Sequence, residues 1–185
     1  EPHLSVTGAA SAQWVPIKPK TDPAMMFALI HVMLHEVPRE RLDLPFLRER
    51  TASSYLVGPN GYFLRDRATR KPLVFDETTG RAVAHDTPGI REQLEGTAQV
   101  EAIEVGPDDE VLAEGLLEGR TAFDRLVEHM RKYSPEWAQG VCDVPAATIR
   151  GVALEYIEHA CVGQTIDIDG HTLPYRPVAV TLGKT

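Results

Sequence analysis

Trp14-Val15-Pro16-Ile17-Lys18-Pro19-Lys20-Thr21-Asp22-Pro23 changes character twice within one short stretch. The apolar run Trp14–Ile17 reads as a short strand, and Pro16 marks it as an edge or an irregular strand end. Lys18 to Asp22 reads as a polar loop. Asp22-Pro23 then reads as a helix start, because Asp is a favoured N-cap and Pro is favoured at the first helical position. The helix is expected to run to about Glu36, with Met26, Leu29, Ile30, Met33 and Leu34 forming one apolar stripe, and to end before Pro38. Strand, loop and helix in that order are the unit of an α/β fold.

Working outward, a short helix is expected over Leu44 to Arg50. From Ala52 to about Glu114 turn signals dominate: Gly58-Pro59-Asn60-Gly61, Thr79-Gly80 and Pro88-Gly89. Tyr62–Leu64, Leu73–Phe75 and Thr97–Val105 read as strands between them, so residues at about 52–114 are expected to form an insertion of hairpins and loops. The acidic run Asp108-Asp109-Glu110 reads as a solvated turn. Helical pattern returns from Thr121 to Tyr133, with Phe123, Leu126, Val127 and Met130 on one face. Ser134-Pro135 starts a further helix. Asp143-Val144-Pro145 starts another, running to about His159 with Ile149, Val152, Ala153, Tyr156 and Ile157 inward. Asp169-Gly170 between Thr165–Ile168 and His171–Leu173 is a hairpin turn. Pro177 to Gly183 reads as a buried strand. The expected fold is therefore α/β, over residues 1–185 taken as one domain or domain fragment with the insertion.

Composition narrows the function. The chain has 185 residues, 43% of them hydrophobic and 25% charged, which describes a globular protein with a proper core. The net charge of −8 argues against a nucleic-acid binder, which needs a basic face to meet phosphates. No stretch is long and apolar enough to span a bilayer, and no signal peptide is visible. Glu1-Pro2-His3 reads as the interior of a domain, so the sequence is expected to begin mid-domain with any targeting segment outside it. Cys142 and Cys161 match no zinc or iron–sulfur spacing and read as small hydrophobes.

Two segments together resemble a known family. Glu1-Pro2-His3-Leu4-Ser5-Val6-Thr7 and the opening stretch Trp14–Asp22 are similar to the Asp-Pro-Arg…Thr…Trp-(Leu/Ile)-Pro-Ile-Arg-Pro-Gly-Thr-Asp run of the dimethyl sulfoxide reductase superfamily of molybdopterin oxidoreductases. Tyr133-Ser134-Pro135-Glu136-Trp137-Ala138 and Val144-Pro145-Ala146-Ala147-Thr148-Ile149-Arg150 are similar to the family's Tyr-Thr-Pro-Glu-Trp-Ala and Val-Pro-Ala-Glu-Thr-Ile-Arg elements. The insertion and the tail from Leu173 to Val180 look most like the thiosulfate, polysulfide and phenylacetyl-CoA oxidoreductase members. Glu1 stands where the family has Asp, His3 where it has Arg, and Lys20 where it has Gly.

The resemblance implies a Rossmann-like three-layer fragment, parallel strands flanked by helices, that helps hold one molybdopterin guanine dinucleotide of a molybdenum bis(molybdopterin guanine dinucleotide) cofactor. The family catalyses two-electron redox reactions at molybdenum, or at tungsten in some members. The cluster-binding cysteine motif and the metal-ligating residue are not found in this sequence, so an iron–sulfur cluster is expected outside this chain. No catalytic or metal-ligating residue is assigned here. The cofactor-binding candidates are Glu1, Pro2, His3, Ser5, Lys20, Thr21, Asp22, Leu182 and Gly183.

The chemistry of these residues suits that task. Glu1, at a strand end, can accept hydrogen bonds from ribose hydroxyls, and a plain solvated carboxylate is the equal alternative. Loop hydroxyls and N–H groups around His3, Ser5 and Thr7 can hold a diphosphate. The Asp22 carboxylate can accept two parallel hydrogen bonds from the N1–H and amino group of guanine, a fork that adenine lacks. The bland alternative for Asp22 is a plain helix cap, and one carboxylate can do both. Gly183, after Leu182, would let backbone approach a ligand.

Other readings compete. A stand-alone, non-catalytic α/β interaction module is one. A small hydrolase or metal protein built on His31 and His35, four apart on one helix, is another, although structural histidines suit that spacing better. Trp14 and Trp137 read as core or interface anchors rather than stacking platforms. The partners implied by the family reading are an iron–sulfur electron-transfer subunit plus the remaining domains of a catalytic subunit, with no nucleic acid and no direct membrane insertion. The compartment stays open between periplasm and cytoplasm of a prokaryote, with the parent soluble. Alone, the chain is expected to be inactive and to self-associate through exposed apolar surface.

Overall fold

The structure is a computed structural model, and it describes residues 2–180. Its helices are α1 (Val6–Ala9), α2 (Asp22–His31), α3 (Leu44–Arg50), α4 (Ala122–Met130), α5 (Pro135–Cys142) and α6 (Ala146–His159). Its strands are β1 (Leu56–Val57), β2 (Leu64–Arg65), β3 (Leu73–Asp76), β4 (Arg81–Ala84), β5 (Thr97–Val105), β6 (Val111–Thr121), β7 (Thr165–Ile168) and β8 (His171–Pro174). The chain divides into two compact units: Glu1–Asp43 with His129–Thr185, and Leu44–Glu128. The insertion expected at about 52–114 falls inside the second.

The first unit is built on helices. Ile17, Ala28, Ala138, Cys142, Val144 and Ile149 form one core, and Val32, Val37, Ala153 and Ile157 form another beside it. Ala28, Ala138 and Cys142 are fully buried. Such small side chains let two helices pack closely, which explains why the bulky stripe expected on α2 is rotated. Ala24, Ala28 and His31 take the buried positions of α2, while Leu29 lies at the margin of both cores. After His31 the helix widens into a π-helical turn over Val32–Glu36 before Val37 extends. Ser134 caps α5 by accepting from Trp137 N at 3.3 Å, as its sequence anticipated. Asp143 ends α5 in the left-handed conformation instead of starting α6, which begins after Pro145.

An ion clamp ties these helices. The Arg150 guanidinium on α6 donates to both oxygens of Glu36, at 2.7 and 2.9 Å, and to Glu136 of α5 at 2.6 Å. The Arg150 hydrogen bond holds the Glu136 carboxyl down at about 2, and both glutamates raise the arginine. Glu136 and Arg150 belong to the two later segments that carry the family resemblance, and Ile17 of the opening stretch packs in the same core as Val144 and Ile149.

Two strands expected in this unit are not found among the described residues. Trp14–Ile17 pairs with nothing as a strand. Pro16 lacks an N–H, and Ile17 is instead drawn into the helical core while Lys18 N donates to Cys142 O at 3.0 Å. Residues 177–180 carry no strand either and are exposed apart from half-buried Val178; Leu182 and Gly183 lie outside the described residues. The β7–β8 hairpin forms as expected around Asp169 and Gly170, both at positive φ.

The second unit is a four-stranded sheet in the order β1-β6-β5-β2, with β3 and β4 as a separate hairpin. Leu56, Leu64, Leu73, Val100 and Ala102 form its core. Leu126, expected inward on α4, is 40% exposed, whereas Phe123 and Val127 are buried, as is Met130 at the end of α4 in the first unit. Every strand pairing among the described residues is antiparallel. The α/β class therefore holds, but the parallel strands of a Rossmann-like layer are not found in this chain's described part.

Two carboxylates organise this unit. Glu104 is fully buried and accepts from Asn60 N at 3.0 Å, Tyr62 N at 2.9 Å and the Asn60 side-chain amide at 3.0 Å. It thereby fixes the Gly58–Tyr62 turn, and a Cβ on Gly58 would lie 2.6 Å from its Cδ. Asp76, at the end of β3, accepts from the Thr79 hydroxyl at 2.7 Å and from Arg91 N at 3.0 Å. Those bonds, the hydroxyl first, hold its carboxyl at about 2.

Candidate functional site

The opening segment folds into two tight features. Ser5 caps the single turn α1, its hydroxyl accepting from Gly8 N at 3.1 Å. The Ser11 hydroxyl lies 2.6 Å from Gly8 O and 2.9 Å from Gln13 O, and donates to one at a time. Lys18-Pro19-Lys20-Thr21 is a reverse turn in which Thr21 N and the Thr21 hydroxyl both donate to Lys18 O, at 3.3 and 2.6 Å. Pro19 takes the second position and Lys20 the third, with φ +66°. That is the geometry of a type II turn, whose third position favours glycine.

Thr21, not Asp22, occupies the N-cap position of α2, and its side chain caps nothing there because its hydroxyl is turned back onto Lys18. Asp22 is the first helical residue. The plain-cap reading of Asp22 is thereby corrected. Its carboxylate makes no hydrogen bond or ion pair among the described residues, and it sits where the positive end of the helix dipole favours negative charge.

Between these features lies an open pocket of about 320 Å³. Its polar lining comes from Thr7, Ser11, Gln13 and Asp22, and Trp14, Val15, Ile17 and Met25 add apolar lining. The pocket thus collects residues from both halves of the segment that resembles the molybdopterin family. Of the residues singled out from sequence, Asp22 and Thr7 line it. Pro2, His3, Ser5, Lys20 and Thr21 do not, and Glu1, Leu182 and Gly183 lie outside the described residues.

Sequence reading missed Ser11 and Trp14 at this site. The reading of both tryptophans as anchors holds better for Trp137, whose ring meets Tyr133 edge-on at 4.9 Å. Both are 38% exposed, but Trp14 has no ring or cation partner among the described residues. Its neighbourhood of small and hydroxyl residues was the available signal.

The other candidates are structural. His31 is buried, and its Nδ1 lies 2.8 Å from Met130 O, which favours the tautomer that donates there. Its ring packs on His35 at 4.8 Å. Among the described residues no three His, Cys, Asp or Glu side chains come together as a metal site. Both cysteines are free, with Cys142 buried. No described helix is long and apolar enough to cross a membrane. In the second unit a polar pocket of about 420 Å³ lies beside Arg48, Tyr55, His85 and Glu92. Ser54 donates to Glu92 at its side, and burial, then Glu92 and Asp86, push the Tyr55 hydroxyl up.

No protein-family model matches the chain. It is similar to a sulfite dehydrogenase polypeptide of Allochromatium vinosum, 30% identical over 162 residues, which are 80% of this chain and 15% of that protein. It is also similar to the alpha polypeptide of chlorate reductase from Ideonella dechloratans, 26% identical over 147 residues, 76% of this chain and 15% of that protein. The chain thus spans about 15% of the length of these curated relatives.

Proposed function

We propose that this chain is a piece of the catalytic subunit of a molybdopterin oxidoreductase, and that the pocket of its first unit holds the guanine end of one pterin dinucleotide. The carrying observation is the unpaired Asp22 carboxylate in a pocket that also contains Thr7, both from the family-like segment. Similarity to one protein named for a dehydrogenase and another named for a reductase supports the redox assignment.

The residues present fit the group. A carboxylate with both oxygens free can take the two parallel N–H donors of guanine. The Thr7 and Ser11 hydroxyls supply polar contacts, and Trp14 and Met25 supply apolar wall. When bound, the cofactor supplies two-electron redox chemistry at its molybdenum. This chain's residues would bind and orient its nucleotide end, and no catalytic role is assigned to them. His3 and Ser5, next to Thr7 in sequence, are assigned with Pro2 to the diphosphate, and Glu1 to a ribose. Lys20 and Thr21 shape the loop that presents Asp22. Leu182 and Gly183 are assigned to a backbone approach.

In this reading the α2, α5 and α6 helices belong to one layer of a Rossmann-like domain whose parallel strands come from elsewhere in the longer polypeptide, and Leu44–Glu128 contains the insertion. The partners are the remaining domains and an iron–sulfur subunit, while the isolated chain turns over nothing.

The test is a calorimetric titration of the chain with GDP and ADP. GDP is expected to bind at least about tenfold more tightly than ADP, the discrimination a two-bond fork supplies. Asp22→Asn replaces one acceptor with a donor that opposes the guanine amino group, and is expected to abolish that preference. Equal affinity for the two nucleotides, or a preference that survives Asp22→Asn, would refute the assignment.

A further inference from the structure

Trp14 is the least explained large side chain beside the pocket. A tryptophan normally buries its ring in a core or against another ring, since the indole carries a large apolar area. Trp137 does so against Tyr133, at 4.9 Å between ring centroids. Trp14 is as exposed as Trp137, both at 38%, but it has no ring partner among the described residues, and it lines the same pocket as the Asp22 carboxylate. Ile17, three residues on, is buried in the helical core and anchors the segment from that side, while the single Ser11 hydroxyl proton is shared between Gly8 O at 2.6 Å and Gln13 O at 2.9 Å.

A half-exposed indole lining the same pocket as a carboxylate with no partner among the described residues suits a flat, hydrogen-bonding heterocycle. The carboxylate reads the edge of the base and the indole covers its face. Stacking is indifferent to base identity because every base has a π-face. The two residues therefore divide the work, Trp14 supplying affinity and Asp22 supplying discrimination.

Resting on the assignment of this pocket to a guanine nucleotide, we propose that Trp14 is the stacking platform for the base, a binding residue distinct in role from Asp22. The two tryptophans make a direct test available, because Trp137→Phe leaves Trp14 as the sole indole. In that background, GDP is expected to quench Trp14 emission saturably, with a midpoint matching calorimetry, and ribose 5-phosphate is expected to leave it unchanged. Trp14→Ala is expected to weaken GDP and ADP alike by about tenfold, the size of one lost base stack. Trp14→Phe is expected to retain most of the affinity. Asp22→Asn should lose the preference for GDP while its Trp14 emission is still quenched by either nucleotide. A thermal melt followed by circular dichroism checks that each variant is folded.

The two assignments fail differently. Guanine-selective, Asp22-dependent binding with unchanged Trp14 emission, and with Trp14→Ala binding as the parent does, would overturn the stacking role and leave the pocket assignment standing. Quenching by both nucleotides without preference would keep Trp14 as a platform and remove Asp22 as the reader. Absence of any nucleotide binding would overturn both.

Discussion

Lys20 offers a quantitative test of how the loop before α2 is built. Its φ of +66° lies in the left-handed region, where a Cβ crowds the following carbonyl at a cost of about 1–2 kcal/mol. Replacing it by glycine removes that cost. The glycine in turn gives up about 0.5–1 kcal/mol through the greater freedom of its unfolded backbone. The net expectation for Lys20→Gly is a gain of about 0.5–1 kcal/mol in the first unit. Both tryptophans lie in that unit, so their fluorescence follows its unfolding alone. For a unit of roughly a hundred residues the gain corresponds to a rise of about 2–6 °C in Tm. Lys20→Val is expected to move the other way, since a β-branched residue tolerates the left-handed region least. A Tm that falls in Lys20→Gly, or one that rises in Lys20→Val, would show that the turn does not hold Lys20 in the left-handed region. The same substitution restores the glycine of the family's Pro-Gly-Thr-Asp sequence. If the loop presents Asp22, guanine preference should survive it.

Two further outcomes concern the second unit. Glu104→Ala leaves the backbone N–H groups of Asn60 and Tyr62 without their acceptor, and is expected to destabilise the unit by about 3 kcal/mol, with faster hydrogen exchange at those two amides as the local readout; unchanged exchange would mean the carboxylate does not hold the turn. Asp76 is depressed to about 2 from an ordinary 3.8, so the unfolded chain takes up its proton first as the solution is acidified. Its contribution is present in full above about pH 4 and is lost as pH falls towards about 2. Urea midpoints of the second unit, followed by amide exchange, should therefore fall over that window in the parent protein and fall less steeply in Asp76→Asn; parallel pH profiles would refute the role given to Thr79 and Arg91.

What the sequence made legible follows from how local each signal is. The α3 helix, the β5 strand, the Ser134 cap and the Asp169-Gly170 turn are set by residues adjacent in the chain, and they appear where expected. The longest strand, β6, was not anticipated. Its Ala113, Glu114, Leu116, Leu117 and Glu118 favour helix, and Gly115 and Gly119 weaken a strand signal. The reason for Gly119 is tertiary: a Cβ there would meet Leu64 at 2.8 Å and Leu56 at 3.0 Å, residues more than fifty positions away. The opposite error occurred at Trp14–Ile17 and at residues 177–180. Both are apolar runs, but an apolar run becomes a strand only if a neighbour pairs with its backbone, and no described segment does so.

The same distinction separates the two halves of the family resemblance. Tyr133–Ala138 and Val144–Arg150 resolve into a cap, a buried helix crossing and the Glu136–Arg150 pair, so their residues are accounted for by packing and charge within this chain. The opening segment is accounted for less fully. Asp22 suits the helix dipole but has no side-chain partner among the described residues, Trp14 is part-exposed with no ring partner there, and Lys20 stands in a conformation that costs free energy. Trp14 and Asp22 line one pocket, and the strained Lys20 turn lies just before Asp22. A ligand that takes the carboxylate at its edge and the indole at its face gives the first two a purpose, and the strained turn sets where the carboxylate stands. For that reason guanine affinity, rather than stability, is the property expected to suffer most when Trp14 or Asp22 is replaced.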